Sequence, residues 1–343
     1  MSTNKFNLNN IYEKIKTFMK ENWSFLLSVI VIILVFFVIK LPYEVEMPGG
    51  IINLNDRVEI NGEKREINGS LNMAYVSVVE GRIPYILLGL ILPDWDVNPT
   101  SEVTYENETI EEANNRNILY LEQSKAYATS VAFDAANIPY EKKDKENSII
   151  YIDSEAKTNL KVGDKILEFD GQKIEDMNLL SSLVQEKEEG KEITLKVNRE
   201  GKEVEAQAII FKRDDKKYLG ISAITLFEVI SDKKIEIKSR SAESGPSGGL
   251  MMTLAVYNAI ADKDLTNGKK VVGTGTINLD GTVGAIGGVK YKLMGAVKEK
   301  ADVFLVPEEN YEEAMEVKKR KKYDIEIVSV KKLQDAIDYL ENK

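Results

Sequence analysis

The chain has 343 residues, of which 43% are hydrophobic and 30% are charged, and its net charge is −10. This length allows two or three domains, each with its own core, and this composition argues against a disordered chain. The acidic balance argues against a nucleic-acid partner, which would need a basic face. The absence of cysteine and histidine excludes disulfides, thiol nucleophiles, iron–sulfur clusters and the HExxH motif of zinc proteases.

The N-terminal part of the sequence predicts a membrane anchor. Residues 1–22 form a polar, lysine-containing tail, and Asn22 to Ile39 then runs for eighteen residues without a charge. A helix needs about 20 such residues to cross a bilayer, so we predict a transmembrane helix over 23–41. A cleaved signal peptide is the alternative, but its apolar region would be shorter and would end in small residues. The lysines before the run predict a single-pass protein of the cell membrane, with a cytoplasmic N-terminus and extracytoplasmic domains.

Residues 42–108 are predicted to be rich in β-structure, because turn signals such as Asn61-Gly62 and Asn68-Gly69 separate short apolar runs. The run from Ile83 to Leu92 is unusually apolar, yet it is too short to be a second membrane span. We predict a buried strand or a core helix there. A patch that faces a membrane or a partner is the alternative.

A helical segment is predicted over 109–136. Thr109 and Glu112 have the spacing of a capping box, and apolar residues follow at helical intervals. Pro139 and the charged run from Glu141 to Glu146 predict a loop after this helix.

Residues 137–213 form a compact unit of short strands and one helix. A predicted strand over 147–152 is followed by Leu160-Lys161-Val162-Gly163-Asp164-Lys165-Ile166-Leu167 and by a hairpin turn at Asp170-Gly171. This pattern resembles a PDZ domain of the bacterial type. The resemblance implies that an extended peptide, often a chain end, adds to a sheet edge beside a helix. No Gly-Leu-Gly-Phe-like run precedes the strand at Ile149, so a rigid spacer or lid is the alternative.

Residues 214–343 alternate strands and helices, as an α/β or α+β domain does. They contain Gly245-Pro246-Ser247-Gly248-Gly249 just before an apolar helix candidate. A Gly-x-Ser-x-Gly run usually indicates a serine activated by histidine, which this chain lacks. The remaining way to activate Ser247 is a neutral lysine amine, and free backbone N–H groups at the helix start would stabilise an oxyanion. A serine that merely caps the helix is the alternative.

Two lysines, Lys290 and Lys292, lie in a predicted helix that starts near Val289. They flank the apolar face of that helix on opposite sides, so periodicity does not choose between them. A free lysine titrates at about 10.4, and one that acts as a base near neutral pH must be desolvated. A solvated surface charge is the ordinary alternative for either residue.

Four ordered motifs in residues 235–340 resemble the proteolytic domain of Lon peptidases. The motifs are Gly245-Pro246-Ser247-Gly248-Gly249, Gly273-Thr274-Gly275-Thr276-Ile277, Gly284-Ala285-Ile286-Gly287-Gly288-Val289-Lys290-Tyr291-Lys292 and Val306-Pro307-Glu308-Glu309-Asn310. The resemblance implies that Ser247 is the nucleophile and Lys292 the general base. It implies supporting roles for Thr274, as a hydrogen-bond partner near the lysine, and for Gly245, Pro246 and Gly248.

Two residues depart from the Lon pattern. Gly248 stands where alanine is usual, and Ser244 stands where ATP-dependent members often carry an acid. No G-x-x-x-x-G-K-[ST] motif occurs, so we expect no nucleotide, and we expect no other cofactor and no metal site.

The order of the segments resembles the membrane-bound PDZ–Lon-type peptidases of bacteria. The expected fold is an α+β multidomain chain: a transmembrane helix, a β-rich region, a PDZ-like domain and a Lon-type α/β proteolytic domain over 214–343. The resemblance implies ATP-independent, extracytoplasmic cleavage of peptides or proteins, with membrane lipid as a partner of the N-terminal helix. It also suggests a homo-oligomer, since Lon domains form rings, although this chain lacks the ring-forming ATPase. The alternative is a membrane-tethered, PDZ-containing scaffold that binds peptides and has an inactive peptidase fold.

Overall fold

The computed structural model of the chain describes residues 8–261 and 263–343. They divide into two compact units. The N-terminal unit contains residues 8–47 and 78–100, and the main unit contains residues 48–77 and 101–343. Strands β1 (Lys40–Asn53) and β3 (Ser70–Arg82) each start in one unit and end in the other.

The N-terminal unit begins with two helices, α1 (Leu8–Glu21) and α2 (Trp23–Val38). The first seven residues of the predicted tail lie outside the described residues. The predicted single transmembrane helix over 23–41 is not confirmed, because α2 ends at Val38 and the chain is extended from Lys40 onward. Pro42 disfavours a helical conformation at Leu41, so the predicted end at residue 41 was one residue too far even before the extended chain at Ile39 is considered.

No single helix in the described part of the chain has both the length and the apolar character of a membrane span. The pair Ile11–Glu21 and Trp23–Val38 meets that test together, with a bend of 79° between them. The rest of the unit contains helix α3 (Ile83–Ile91) and strand β4 (Asp96–Pro99), which pairs antiparallel with β1 through Tyr43–Glu46.

Helix α3 corrects the prediction of a buried element at Ile83 to Leu92. The run is helical, but none of its residues is buried, and Leu90 and Ile91 are 73% and 76% exposed. The side of α3 that carries Gly89 packs closely on β4: a Cβ atom at that position would lie 2.4 Å from the Val97 side chain. The side chains of Leu87, Leu90 and Ile91 stay exposed.

The main unit contains a largely parallel sheet in which β14 (Lys270–Gly273) pairs with β3 on one side and with β17 (Val303–Pro307) on the other. β18 (Glu326–Val330) extends the sheet beyond β17, and β1 lies beyond β3. Helices α5 (Ile110–Ala135), α7 (Gly249–Ile260) and α10 (Leu333–Glu341) pack on one face. Helices α8 (Val289–Lys298) and α9 (Tyr311–Lys321) pack on the other.

Consecutive residues of β14 supply the two faces of this sheet. Val271 joins the core under α7 and Val272 joins the core under α8, as the alternation of side chains along a strand requires. The smaller elements of this part are helix α4 (Thr100–Val103), a 3₁₀ turn at Glu308–Asn310 and two short antiparallel strand pairs. The pairs are β2 (Val58–Ile60) with β13 (Ile235–Ile237), and β15 (Thr276–Ile277) with β16 (Val283–Gly284). The predicted capping box at the start of α5 is confirmed by bonds between Thr109 and Glu112 in both directions.

A second sheet in the main unit has the strand order β12-β5-β6-β8-β9. Its strands are β5 (Glu141–Ile152), β6 (Lys165–Phe169), β7 (Gln172–Lys173), β8 (Glu192–Arg199), β9 (Lys202–Ile209) and β12 (Ile221–Ile230), and helix α6 (Met177–Glu186) and the hairpin of β10 (Phe211–Arg213) and β11 (Lys216–Tyr218) lie between them in the chain. They enclose a separate apolar core. β12 completes one edge and lies beyond the predicted range 137–213.

The predicted loop at Glu141 to Glu146 is wrong. This charged run forms the first half of β5 and pairs with the second half of β12, from Leu226 to Ile230. The partner strand lies some eighty residues further along the sequence, so local composition did not reveal the pairing.

Candidate active site

The loop before α7 is attached to helix α5. Gly245 has a φ of +87°, a conformation that glycine adopts without strain, and its N–H donates to the carbonyl of Asn117 at 2.8 Å. The Ser124 hydroxyl donates to the carbonyl of Pro246 at 3.3 Å. Both supporting residues predicted on the N-terminal side of Ser247 thus shape the turn that presents the serine.

The other side of the loop is attached to the end of β14. The carbonyl of Ser247 accepts the N–H of Gly275 at 2.8 Å and the hydroxyl of Thr274 at 3.0 Å. Thr274 is fully buried, so this bond holds the serine backbone from inside the fold. Gly248 is also buried, and an alanine there would place its Cβ 2.6 Å from the Met73 sulfur. Met73 would have to move before the usual alanine could be accommodated.

Burial separates the two candidate lysines that periodicity left open. Lys292, in the first turn of α8, is only 4% exposed. Lys290 is partly exposed, and its amine lies 4.7 Å from the centroid of the Tyr291 ring. Lys292 is therefore the lysine whose side chain is removed from water.

Asn310 anchors the loop that leads into α8. Its side-chain amide donates to the carbonyl of Ile286 at 3.0 Å, and its side-chain oxygen accepts the N–H of Ile286 at 2.9 Å. Asn310 is 8% exposed. The sequence motif that ends at this residue was recognised, but no role was predicted for the asparagine, because the contact joins residues 24 positions apart.

Two glycines let α8 lie close to neighbouring segments of the chain. Gly288 precedes the helix in the left-handed conformation, with a φ of +68°, and a Cβ there would lie 2.7 Å from the Val76 side chain. Gly295 faces the backbone of Gly50, where an added Cβ would be 3.2 Å away. These approaches fix the position of the helix that carries Lys292.

The helices that follow Ser247 and carry Lys292 both start beside the carboxyl ends of the parallel strands. The N–H of Leu250, in the first turn of α7, donates to the carbonyl of Gly275, just beyond the carboxyl end of β14. Asn310, just beyond the carboxyl end of β17, holds the entry to α8. The N-termini of α7 and α8 thus reach this edge from opposite faces. Ligands of open α/β sheets bind outside the carboxyl ends of the strands, where helices change face.

A second candidate site lies along the edge strand β12. The strand follows Tyr218-Leu219-Gly220-Ile221, in which Leu219 is buried and Gly220 has a φ of +73°. Helix α6 lies beside it: Gln185 bonds the backbone N–H and C=O of Lys217 at 3.1 and 2.7 Å. A sheet edge beside a helix is the arrangement to which extended peptides add.

Sequence reasoning missed this site because it searched for a carboxylate-binding loop before the strand at Ile149. The available signal was the apolar-Gly-apolar run at 219–221, followed by a ten-residue strand.

Helix α5 contacts both candidate sites. Tyr127 stacks on Phe227 of β12, with ring centroids 5.8 Å apart, and Ser124, three residues earlier, bonds the serine loop. At the start of the helix, Arg116 makes two bonds of 2.7 and 2.8 Å to Glu108. Burial opposes the charge of Glu108, but the Arg116 guanidinium and a backbone N–H hold the pKa of that carboxyl below its ordinary value.

Comparison with protein families finds two matches. Residues 140–210 match the PDZ domain, and residues 196–342 match the Lon protease (S16) C-terminal proteolytic domain. The Lon protease of Mesomycoplasma hyopneumoniae is 31% identical over 98 residues, which are 29% of this chain and 11% of that protein. The Lon protease of Roseiflexus castenholzii is 31% identical over 137 residues, which are 40% of this chain and 17% of that protein. The chain therefore matches less than a fifth of the length of these curated relatives.

Among solved structures, the PDZ domain of the SdrC-like protein from Listeria innocua is similar to part of the chain. The identity is 19% and the TM-score is 0.22, over 23% of this chain and 93% of that one.

Proposed function

We propose that this chain, in which a PDZ domain precedes a Lon-type proteolytic domain, is an ATP-independent serine endopeptidase with a Ser247–Lys292 dyad. It cleaves extracytoplasmic peptides or proteins. The observation that carries the proposal is the burial of Lys292 in a helix that starts at the same sheet edge as the Ser247 loop. Burial disfavours the charged form of an amine and so favours the form that accepts a proton.

The proposed reaction begins with attack of the Ser247 hydroxyl oxygen on the scissile carbonyl carbon. The hydroxyl proton passes to the Lys292 amine, which returns it to the leaving nitrogen as the peptide bond breaks. Water then attacks the acyl-enzyme. Its proton passes to the Lys292 amine, which returns it to the Ser247 oxygen as the ester bond breaks. The proposed stabiliser of the oxyanion is the partial positive charge at the N-terminus of α7, because the first two N–H groups of that helix already donate to the carbonyls of Pro246 and Gly275.

In this proposal the edge strand β12 selects or orients the substrate. An extended segment adds to β12 beside α6, and a chain end lies against the backbone of residues 219–221. The support is the order of the elements, in which a run with a left-handed glycine leads directly into an edge strand.

The proposed location is the cell membrane, with the N-terminus in the cytoplasm and the PDZ and peptidase domains outside. The support is the bent apolar pair α1 and α2, whose lysines precede the apolar stretch.

The test incubates the full-length chain, purified in detergent, with a mixed peptide library and identifies fragments by mass spectrometry. Wild type should generate fragments, whereas Ser247→Ala and Lys292→Ala should generate none while unfolding at the wild-type temperature. Lys290→Ala is the matched control and should cleave normally. Peptide binding by wild type without any fragments would support the scaffold instead.

A further inference from the structure

Helix α3 presents an apolar face that the N-terminal unit leaves uncovered. Its nine residues contain no charge. The exposed fraction is 46% for Leu87, 73% for Leu90 and 76% for Ile91. A contiguous exposed face of large aliphatic side chains is uncommon on a protein that is surrounded by water and marks a site of interaction.

This face is built into the fold and is not a frayed end. Gly89 brings the inner side of α3 onto Val97 of β4, with Val45 of β1 behind it. Val45 is fully buried by this packing. Pro84 occupies the first turn, where its missing N–H costs nothing. The exposed side chains therefore stand on a helix held by a strand pair.

The uncovered face is continuous with the other apolar helix of the unit. Arg82, which precedes α3, donates to the carbonyl of Phe37 near the end of α2 at 3.4 Å. None of the residues described in α2 is buried either. Charges collect where the two helices meet: Glu80 lies 2.5 Å from the Lys40 amine and 3.5 Å from the Arg82 guanidinium.

We propose that α3 inserts its exposed face into the bilayer leaflet from which α2 emerges. A helix of 16 residues such as α2 is about 24 Å long, less than the roughly 30 Å of a hydrocarbon core. An apolar helix beside its end would occupy the boundary between headgroups and acyl chains, the depth at which interfacial helices lie.

Residue chemistry favours lipid over a protein partner as the occupant. Lys40 and Arg82 have long stems that carry charge to a headgroup layer. Tyr85 within α3 and Trp95 just after it are the residue types enriched at membrane interfaces. The inference extends the proposed anchor of α1 and α2, and the experiment therefore tests α2 and α3 separately.

The chain has no cysteine, so a single introduced thiol is the only one that a nitroxide reagent can label. The full-length chain is labelled at Leu90→Cys and reconstituted into vesicles of phosphatidylcholine and phosphatidylglycerol. Collision of the label with oxygen, which concentrates in lipid, is compared with collision with a water-soluble nickel chelate. Leu34→Cys in α2 is the membrane control, and Ser181→Cys, on the exposed side of α6, is the water control.

The label at Leu90 should resemble the label at Leu34, with an oxygen-to-nickel ratio several-fold above that at Ser181. A nickel-accessible label at Leu90 beside a protected label at Leu34 would overturn the inference and leave the anchor standing. Nickel access at both positions would overturn the anchor and the inference together. A label at Leu90 shielded from both reagents would mean that protein covers α3, which also contradicts the inference.

Discussion

Helices α7 and α3 are both short and apolar, yet they have opposite surroundings. Every residue of α7 except Ala259 is buried, whereas no residue of α3 is. Other helices and the sheet surround α7, while α3 packs through the side that carries Gly89. Apolar composition indicates that a helix is buried away from water, but it does not indicate whether it is buried in protein or in lipid. The difference also separates roles, because the proposed catalytic serine stands at the start of the covered helix.

If catalysis takes place at the buried elements around α7 and α8, Lys292→Met should lower the rate of peptide cleavage by about 10²–10⁴-fold, the usual contribution of a general base. Methionine fills a similar volume, so the fold should survive. The measurement is the initial cleavage rate of a fluorogenic peptide by the full-length chain. Lys290→Met, in the same helix turn but partly exposed, should retain the wild-type rate. An active Lys292→Met variant would contradict the dyad.

Truncating one leucine in α7 and one in α3 directly tests the difference in burial between the two helices. Leu254→Ala in α7 should lower the free energy of unfolding by about 2–5 kcal/mol, because it leaves a cavity in a packed core. Leu90→Ala in α3 should change it by less than about 0.5 kcal/mol in detergent, as an exposed substitution does. Urea unfolding followed by circular dichroism measures both. Equal losses would mean that α3 is packed against protein.

Asn310→Ala should lower the free energy of unfolding by about 1–3 kcal/mol, because it leaves the N–H and C=O of Ile286 without their partner. If Asn310 positions the α8 entry for Lys292, kcat should fall while KM stays near the wild-type value. Glu309→Ala, at the exposed neighbouring position, serves as the control. A wild-type kcat in a destabilised Asn310→Ala variant would limit the residue to a structural role.

The last prediction concerns the acid dependence of stability and the buried ion pair of Arg116 with Glu108 at the start of α5. The pKa of Glu108 is lowered in the folded chain, with Arg116 among the causes. The stability that this pair contributes is therefore complete above the ordinary pKa of a glutamate and is lost as the pH falls toward the folded value. Arg116→Met should flatten or reverse that acid dependence in unfolding measured from pH 6 to pH 3, because burial raises the pKa of Glu108 once the guanidinium is gone. Glu106→Gln, at an exposed position, should leave it unchanged.

The sequence predicted best where the signal is local. The capping box of Thr109 and Glu112 lies within one helical turn, and the strands around Asp170-Gly171 follow from a hairpin turn. Long-range contacts were missed. Lys290 and Lys292 have equivalent positions beside one apolar stripe, and only the packing of α8 against its neighbours buries one of them. The pairing of β5 with β12 and the bond from Asn310 to Ile286 likewise depend on segments far apart in the chain.

The middle of α5 has a mechanical consequence. Ser124 and Tyr127 occupy successive positions along one face, one touching the serine loop and the other touching β12. A displacement of the edge strand when a peptide adds to it would reach the nucleophile through a single turn of helix. Peptide binding at β12 and cleavage at Ser247 would then be coupled through one helical turn, about 5 Å long. The chain that connects β12 to the serine loop would not have to carry this coupling.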